Sequence, residues 1–191
     1  MFQPTYPILA ARLRLRPFED KDLHDLYAFY SQPEVTRFLY SYERTLDETR
    51  EALETKKTEV NLTEEESRLT LAVELQETLT VIGEVTLIWR SQQHEQGEVG
   101  YVFNPDYYGR GYATEATRVM LSLGFDKFRL HRIYGRCDAR NVASYKLMER
   151  LGMRREAHFI HNEIFKGEWG DELVYALLYE EWLALSVDGE R

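Results

Sequence analysis

Two glycines separated by one residue, Gly109 and Gly111, lie between a stretch that reads as a strand and one that reads as a helix. Val99–Phe103 alternates and is partly β-branched or aromatic, which suits a strand. Asn104-Pro105 stops it, because proline gives no N–H to a ladder and restricts the residue before it. The glycines then permit backbone angles and close approaches that a Cβ obstructs. From Ala113 the spacing turns helical, with Ala113, Ala116, Val119, Met120 and Leu123 on one stripe. A helix entered through such a turn presents unpaired N–H groups and a partial positive charge. That is a cradle for an anion, with phosphate its usual guest.

Three phosphate-bearing ligands compete for this cradle. A dinucleotide fingerprint needs a third glycine where Thr114 stands, and no acidic residue closes a second strand at the expected distance. A nucleotide-hydrolysing loop needs Gly-Lys-Ser/Thr, which is absent. An acyl-CoA remains. Here Tyr108-Gly-Arg-Gly-Tyr-Ala113 resembles the Gln/Arg-x-x-Gly-x-Gly/Ala motif of the GNAT superfamily of N-acetyltransferases. Tyr108 departs from that pattern in the first place. With the run to Ala116 it is similar to the RimJ/RimL branch, the ribosomal-protein-alanine N-acetyltransferase-like enzymes.

A second stretch, Asn141 to Met153, supports the first. Asn141 is a good N-cap, Val142, Tyr145 and Met148 recur at helical spacing, and Gly152 supplies a left-handed stop. Asn-x-x-Ser before a short helix and Gly-Met resembles the second RimJ/RimL signature, as Leu13-Arg-Leu-Arg-Pro17 followed by Pro33-Glu-Val35 resembles the opening of such chains. Many GNAT enzymes carry a tyrosine acid seven residues after this asparagine. Met148 holds that place and has no proton to give, so Ser144 becomes the matching polar group; its plainer reading is a helix-surface serine.

The resemblance implies an α+β fold with a mostly antiparallel sheet, one splayed parallel strand pair and helices on both faces. It implies acetyl-CoA as cosubstrate. Backbone N–H groups of Tyr108, Gly109, Arg110, Gly111, Tyr112, Ala113 and Thr114 would hold the pyrophosphate, and Val102 and Phe103 would pair with the pantetheine as an added strand would. Asn141 would bond the same arm, and Ser144 would protonate the leaving thiolate. Phe38 and Tyr40 fall where the family lines its acceptor groove, although aromatic packing between two helices explains them as well.

The implied reaction is direct attack of a neutral amine on the thioester, the acceptor being a protein N-terminus or a small-molecule amine. Deprotonation at pH 7 costs roughly 1.4 kcal/mol for an α-amine of pKa about 8 and roughly 4.6 for a lysine near 10.4. Glu98, on the strand beside the thioester, is the expected base; a solvated glutamate or an ion pair with an arginine is its plainer reading. Two other classes stay in view: a non-catalytic acyl-CoA sensor of the same fold, and an oxidoreductase with a degenerate glycine turn.

The 191 residues suit a single domain (1–191, core about 8–185), and 43% apolar content is ordinary for a globular chain. A net charge of −9 argues against nucleic acid and suits a cationic acceptor. No apolar run approaches a membrane span and the N-terminus lacks a secretory pattern, so a cytoplasmic monomer or homodimer without membrane contact is expected. Cys137 is alone, which fits a buried inert thiol. His158 and His161, three apart on a strand, face opposite sides, and no metal site is expected.

Periodicity predicts a first strand over 8–16, a helix over 19–30, a short one over 34–39 and a charged helix over 45–60. Strands follow at 68–75, 78–89 and 98–103, with Gly83 marking a bulge or a close neighbour. The cradle helix is expected to reach about Phe128, with a parallel strand at 132–138 after it. A hairpin over 154–165 and 172–179, a terminal helix over 180–185 and about five frayed residues complete the reading.

Overall fold

In the computed structural model, which describes residues 3–188, the chain begins β1 (Ile8–Leu9), β2 (Leu13–Arg16), α1 (Leu23–Tyr30), α2 (Pro33–Thr36) and α3 (Leu46–Thr58). It continues β3 (Arg68–Leu75), β4 (Val81–Ser91), β5 (Gln96–Phe103), α4 (Tyr112–Ser122), β6 (Arg132–Asp138), α5 (Val142–Arg150), β7 (Arg154–Phe165), β8 (Glu168–Leu178) and α6 (Tyr179–Asp188). One sheet in the order β1-β2-β3-β4-β5-β6-β8-β7 contains all eight strands, and only β5 and β6 pair in parallel. The mixed α/β architecture expected from the sequence is the one observed. The fraying expected of the last residues falls largely outside the described ones.

The sheet is covered on both faces. Leu71 and Val73 join a core with Ala116, Met120 and Leu121 of α4 and Leu147 of α5. Their neighbour Ala72 joins Leu26 and Phe29 of α1 and Leu53 of α3. Successive strand residues point to opposite faces, so these cores lie on opposite sides. Leu26, Phe29 and Leu53 are each buried, worth about 1.5–3 kcal/mol apiece. That is how α3, with few apolar residues, stays docked. Its N-cap Thr45 and Glu48 form a reciprocal capping box.

Several boundaries differ from the periodicity, for identifiable reasons. The alternating run 8–16 is not one strand but a tight hairpin, with Ile8 opposite Leu15 and Ala10 N–H bonded to Leu13 O at 2.9 Å. Gln76 holds the bend through its side-chain amide to Ala10 O at 2.8 Å. The helix expected from Glu19 starts at Leu23, after a 3₁₀ turn over Asp20–Asp22, because Asp22 turns inward as a counter-ion. The cradle helix ends its α-helical part at Ser122 and finishes in a π-helical turn over Leu123–Lys127. Both alternatives for Gly83 are present. The β3–β4 register slips beside it, and a Cβ there would lie 2.5 Å from the Phe103 ring and 2.6 Å from Val102 O.

Arg16 ties α1 to the sheet. Its guanidinium donates to Asp22 Oδ2 at 2.7 Å and to Glu74 Oε2 at 2.8 Å, with Arg16, Asp22 and Glu74 all buried. Arg16→Ala leaves buried Asp22 without its cation and Glu74 with Arg14 alone, and is expected to cost about 3–5 kcal/mol. A urea denaturation series checks this as a lowered midpoint with an unchanged slope.

Candidate active site

The site begins where β5 and β6 stop pairing. Gln96, Gly97 and Glu98 face Arg132, Ile133 and Tyr134, and no pair follows, although β5 continues to Phe103 and β6 to Asp138. Gly135 marks the parting: a Cβ there would lie 2.8 Å from Met148 Sδ and 3.4 Å from Val99 O. Met148 is buried on that glycine, so the residue in the place of the family's tyrosine acid is a core side chain.

Past the parting, the β5 backbone edge is open. On its other side Asn104 N–H bonds Ile82 O at 2.9 Å, and Val102 lies opposite Glu84. Antiparallel ladders alternate bonded pairs, so Val102 directs its N–H and C=O to β4, whereas Tyr101 and Phe103 direct theirs into the gap. The expectation that Val102 offers backbone groups to a ligand does not fit this register, although Val102 lines the groove.

The glycine turn closes one end of this gap. Gly109 and Gly111 take φ of +74° and +80°, the left-handed region that only glycine enters at no steric cost. Gly111 is the N-cap of α4. Arg12, at the bend between β1 and β2, pins the turn. Its Nε donates to Glu115 Oε2 at 2.8 Å and its Nη1 to Arg110 O at 2.9 Å, and its guanidinium lies 4.5 Å from the centre of the Tyr112 ring. Periodicity placed Arg12 inside a strand over 8–16 and gave no sign of this contact.

A groove of about 650 Å³ runs from the turn along β5. Val102, Phe103, Tyr108, Gly109, Gly111, Ala113, Thr114, Asn141 and Ser144, all expected ligand contacts, line it. Arg110 and Tyr112 do not: Arg110 lies over the Tyr107 ring at 5.7 Å and Tyr112 lies beneath Arg12. Arg37 and Arg150 line the groove instead, two cations no motif announced.

At the far end, Asn141 caps α5 by accepting the Ser144 N–H at 3.2 Å. The Tyr101 hydroxyl donates to Ser144 O at 3.0 Å and lies 2.9 Å from Ser144 Oγ. Burial holds that phenol above its ordinary range, opposed by the Ser144 contact. A tyrosine hydroxyl thus stands beside Ser144, delivered by β5. The signal was its place on the strand, two residues from Phe103.

Across the sheet lies a smaller cavity of about 110 Å³ lined by Phe38, Tyr40, Glu98, Arg136, Glu163 and Glu172, among others. Phe38 lines both spaces. Tyr40 donates to Glu163 Oε1 at 2.7 Å and meets Phe165 edge-on at 5.3 Å. Both Glu98 oxygens are engaged: Arg90 Nε donates to Oε2 at 2.8 Å and Arg136 Nε to Oε1 at 3.2 Å. The ion-pair arrangement held as this residue's alternative is present. Arg136 Nη1 also donates to Glu172 Oε1 at 3.0 Å, and Asn162 Nδ2 to its Oε2 at 3.1 Å. Glu163 and Glu172 had no sequence signal, since both lie on strands whose pairing closes only in three dimensions.

An open strand edge thus lies between a glycine cradle and an acid-lined cavity. The chain belongs to the GNAT family of acetyltransferases: residues 12–154 match the family model described as acetyltransferase (GNAT) domain. It is 37% identical over 176 residues to the uncharacterized N-acetyltransferase YnaD of Bacillus subtilis (strain 168), covering 92% of this chain and 98% of that one. The GNAT-family acetyltransferase structure from Bacillus anthracis superposes with TM-score 0.80 at 34% identity, covering 91% and 98%. The spermidine N-acetyltransferase of Vibrio cholerae in complex with CoA and spermine shares the fold, with TM-score 0.76 at 22% identity, covering 91% and 99%. This chain is an N-acetyltransferase.

His158 and His161 both turn to Asp171, the first by its ring and the second by its backbone N–H at 2.9 Å. Among the described residues no three His, Cys, Asp or Glu side chains are grouped to hold a metal ion. Cys137, half-buried on β6, has its thiol pushed up to about 11, by burial first, against a Ser144 hydrogen bond that lowers it. At pH 8 it should react with a disulfide reagent roughly tenfold more slowly than a free thiol of pKa about 8.5, its scarcer thiolate being partly offset by higher nucleophilicity, and its rate should still rise well above pH 9. Stopped-flow thiol titration against pH checks this.

Proposed function

We propose that this enzyme moves an acetyl group from acetyl-CoA to a primary amine by direct attack, the acceptor being a protein N-terminal α-amine as in RimJ/RimL-like chains. The observation that carries the reading is the continuity of the cradle, the open β5 edge and the acid-lined cavity, which meet at Phe38. Tyr108 with the glycine turn, and Asn141 with Ser144, support the branch. The residues present fit the cosubstrate, because the turn has the left-handed glycines and free helix N-terminus that a pyrophosphate needs. Arg37 and Arg150 supply positive charge along the groove.

Acetyl-CoA would supply the activated acyl carbon. N–H groups of Gly109, Gly111, Ala113 and Thr114 would hold the diphosphate, and backbone groups of Tyr101 and Phe103 would pair with the pantetheine arm. Asn141 would bond that arm through its side-chain amide. A β5 N–H near Phe103 would stabilise the oxyanion, a contribution of about 3–4 kcal/mol where such donors have been removed. Ser144 would return a proton to the thiolate. A carboxylate of the acceptor cavity would take the proton of the incoming amine.

A second reading, a small-molecule polyamine as acceptor, is favoured by the acidic walls of the cavity and by the spermine-bound neighbour of the same fold. Thiol release from acetyl-CoA separates the readings when Ala- and Ser-starting peptides are compared with spermidine and other amines. Saturable release with one class is expected. Silence with every amine, while CoA still raises the melting temperature, would favour an acyl-CoA sensor; stabilisation by NAD and not CoA would dismiss the family's cosubstrate. Gly111→Val forces a β-branched residue to φ near +80° and is expected to weaken CoA binding at least tenfold, measured by calorimetry.

A further inference from the structure

The acceptor cavity is short of positive charge. Glu98, Glu163 and Glu172 line it, and the guanidiniums that reach them are those of Arg90 and Arg136. The other acids of the wall have partners outside this set: Asp138 holds Arg140 and Asp171 holds His158. Glu98 shares Arg90 with Glu66 and Arg136 with Glu172. Glu163 has the neutral Tyr40 hydroxyl as its hydrogen-bond donor. The Phe38 and Tyr40 rings stand over the same space, and aromatic faces attract a cation.

We propose that the acceptor enters as its ammonium ion, held by Glu163 and the Phe38 and Tyr40 rings, and that Glu172 takes its proton. Glu98 is then the fixed counter-ion of Arg90 and Arg136. This rests on the acetyl-transfer reading above and names the charge state of the substrate and the base.

Three observations separate Glu172 from Glu98. Glu172 is 8% exposed and opens on the cavity from β8, whereas Glu98 spends both oxygens on guanidiniums. One Glu172 oxygen meets the shared Arg136 and the other a neutral amide. The groups facing it are Arg136, Cys137 and Asp138 from β6, Glu98 from β5, Glu163 from β7, and Tyr40. Burial raises its carboxyl above the ordinary range; Arg136 opposes this and the neighbouring Glu163 and Glu98 reinforce it. A carboxylate so placed accepts a proton more readily near neutral pH than a solvated one.

The step balances. The ammonium passes one proton to Glu172, and the freed nitrogen pair forms the N–C bond to the thioester carbonyl. The C–S bond breaks with its pair leaving on sulfur, and the second nitrogen proton goes to that thiolate, by way of Ser144. Glu172 finally releases its proton to solvent. The products are amide, CoA thiol and one proton.

The test compares wild type, Glu172→Gln, Glu172→Asp, Glu163→Gln and Glu98→Gln across pH, with the Ala-starting peptide and spermidine as acceptors. Glu172→Gln should lower kcat at pH 7 by about 10²–10⁴-fold. That loss should shrink as pH approaches the acceptor's own pKa, where neutral amine arrives unaided. Glu172→Asp should recover part of kcat, and Glu163→Gln should raise KM more than it lowers kcat. A second readout needs no turnover: the infrared protonated-carboxyl band of the CoA-bound protein, followed across pH, should recede when spermidine's ammonium binds, and that band should persist in Glu98→Gln and be lost in Glu172→Gln. Should Glu172→Gln fail to fold, the Asp variant and the wild-type band decide. A pH-dependent loss and a missing band in Glu98→Gln, with Glu172→Gln normal, overturns the assignment. Wild type inactive on every amine overturns the acetyl-transfer reading itself, and this one with it.

Discussion

The parting of β5 from β6 after three residue pairs is the constraint on which the molecule turns. A parallel pair normally continues as far as both strands run, since every unpaired buried N–H and C=O costs free energy. Here β5 runs on to Phe103 with one edge unserved, and the chain keeps that arrangement because packing around Gly135, Val99 and Met148 closes the base of the split and nothing more. The β5 groups of Tyr101 and Phe103 remain for water or a ligand backbone.

The split also joins the two faces of the sheet. Helices α4 and α5, with the glycine turn, stand on one side, and the cavity of Glu98, Glu163 and Glu172 stands on the other. Side chains on β5 alternate between them: Tyr101 reaches Ser144 of α5, while Glu98, an odd number of residues away, reaches Arg90 and Arg136 opposite. One strand thereby addresses the groove with one set of residues and the smaller, acid-lined cavity with the other.

Charge is used structurally as much as functionally. Arg12 fastens the glycine turn to the β1–β2 bend, Arg16 fastens α1 to the sheet, and Arg136 spans β5 and β8 through Glu98 and Glu172. The Arg16 and Arg136 pairs are fully or partly buried, where removing one partner costs far more than the pair contributes net, whereas Arg12 is exposed. The acidic excess of the chain is therefore not a diffuse surface property at this site. Part of it lines a cavity of the site.

What the sequence determined alone was local. The strand before Asn104-Pro105, the left-handed glycines of the turn, the Asn141 cap and the helical stripe from Ala113 are each set by neighbours in the chain, through backbone sterics and short-range periodicity. The element order followed, and with it the fold. Tertiary structure alone decided what depends on residues far apart. It folded the run 8–16 into a hairpin to place Arg12, and chose Tyr101 and Phe103 over Val102 as the open backbone. It brought Glu163 and Glu172 to Glu98, and filled the position of a tyrosine acid with a buried methionine while setting another tyrosine beside Ser144. The reason is physical: a side chain's type is written at one position, but its partner, its burial and the side of the sheet it serves are settled only when strands from distant parts of the chain take their register.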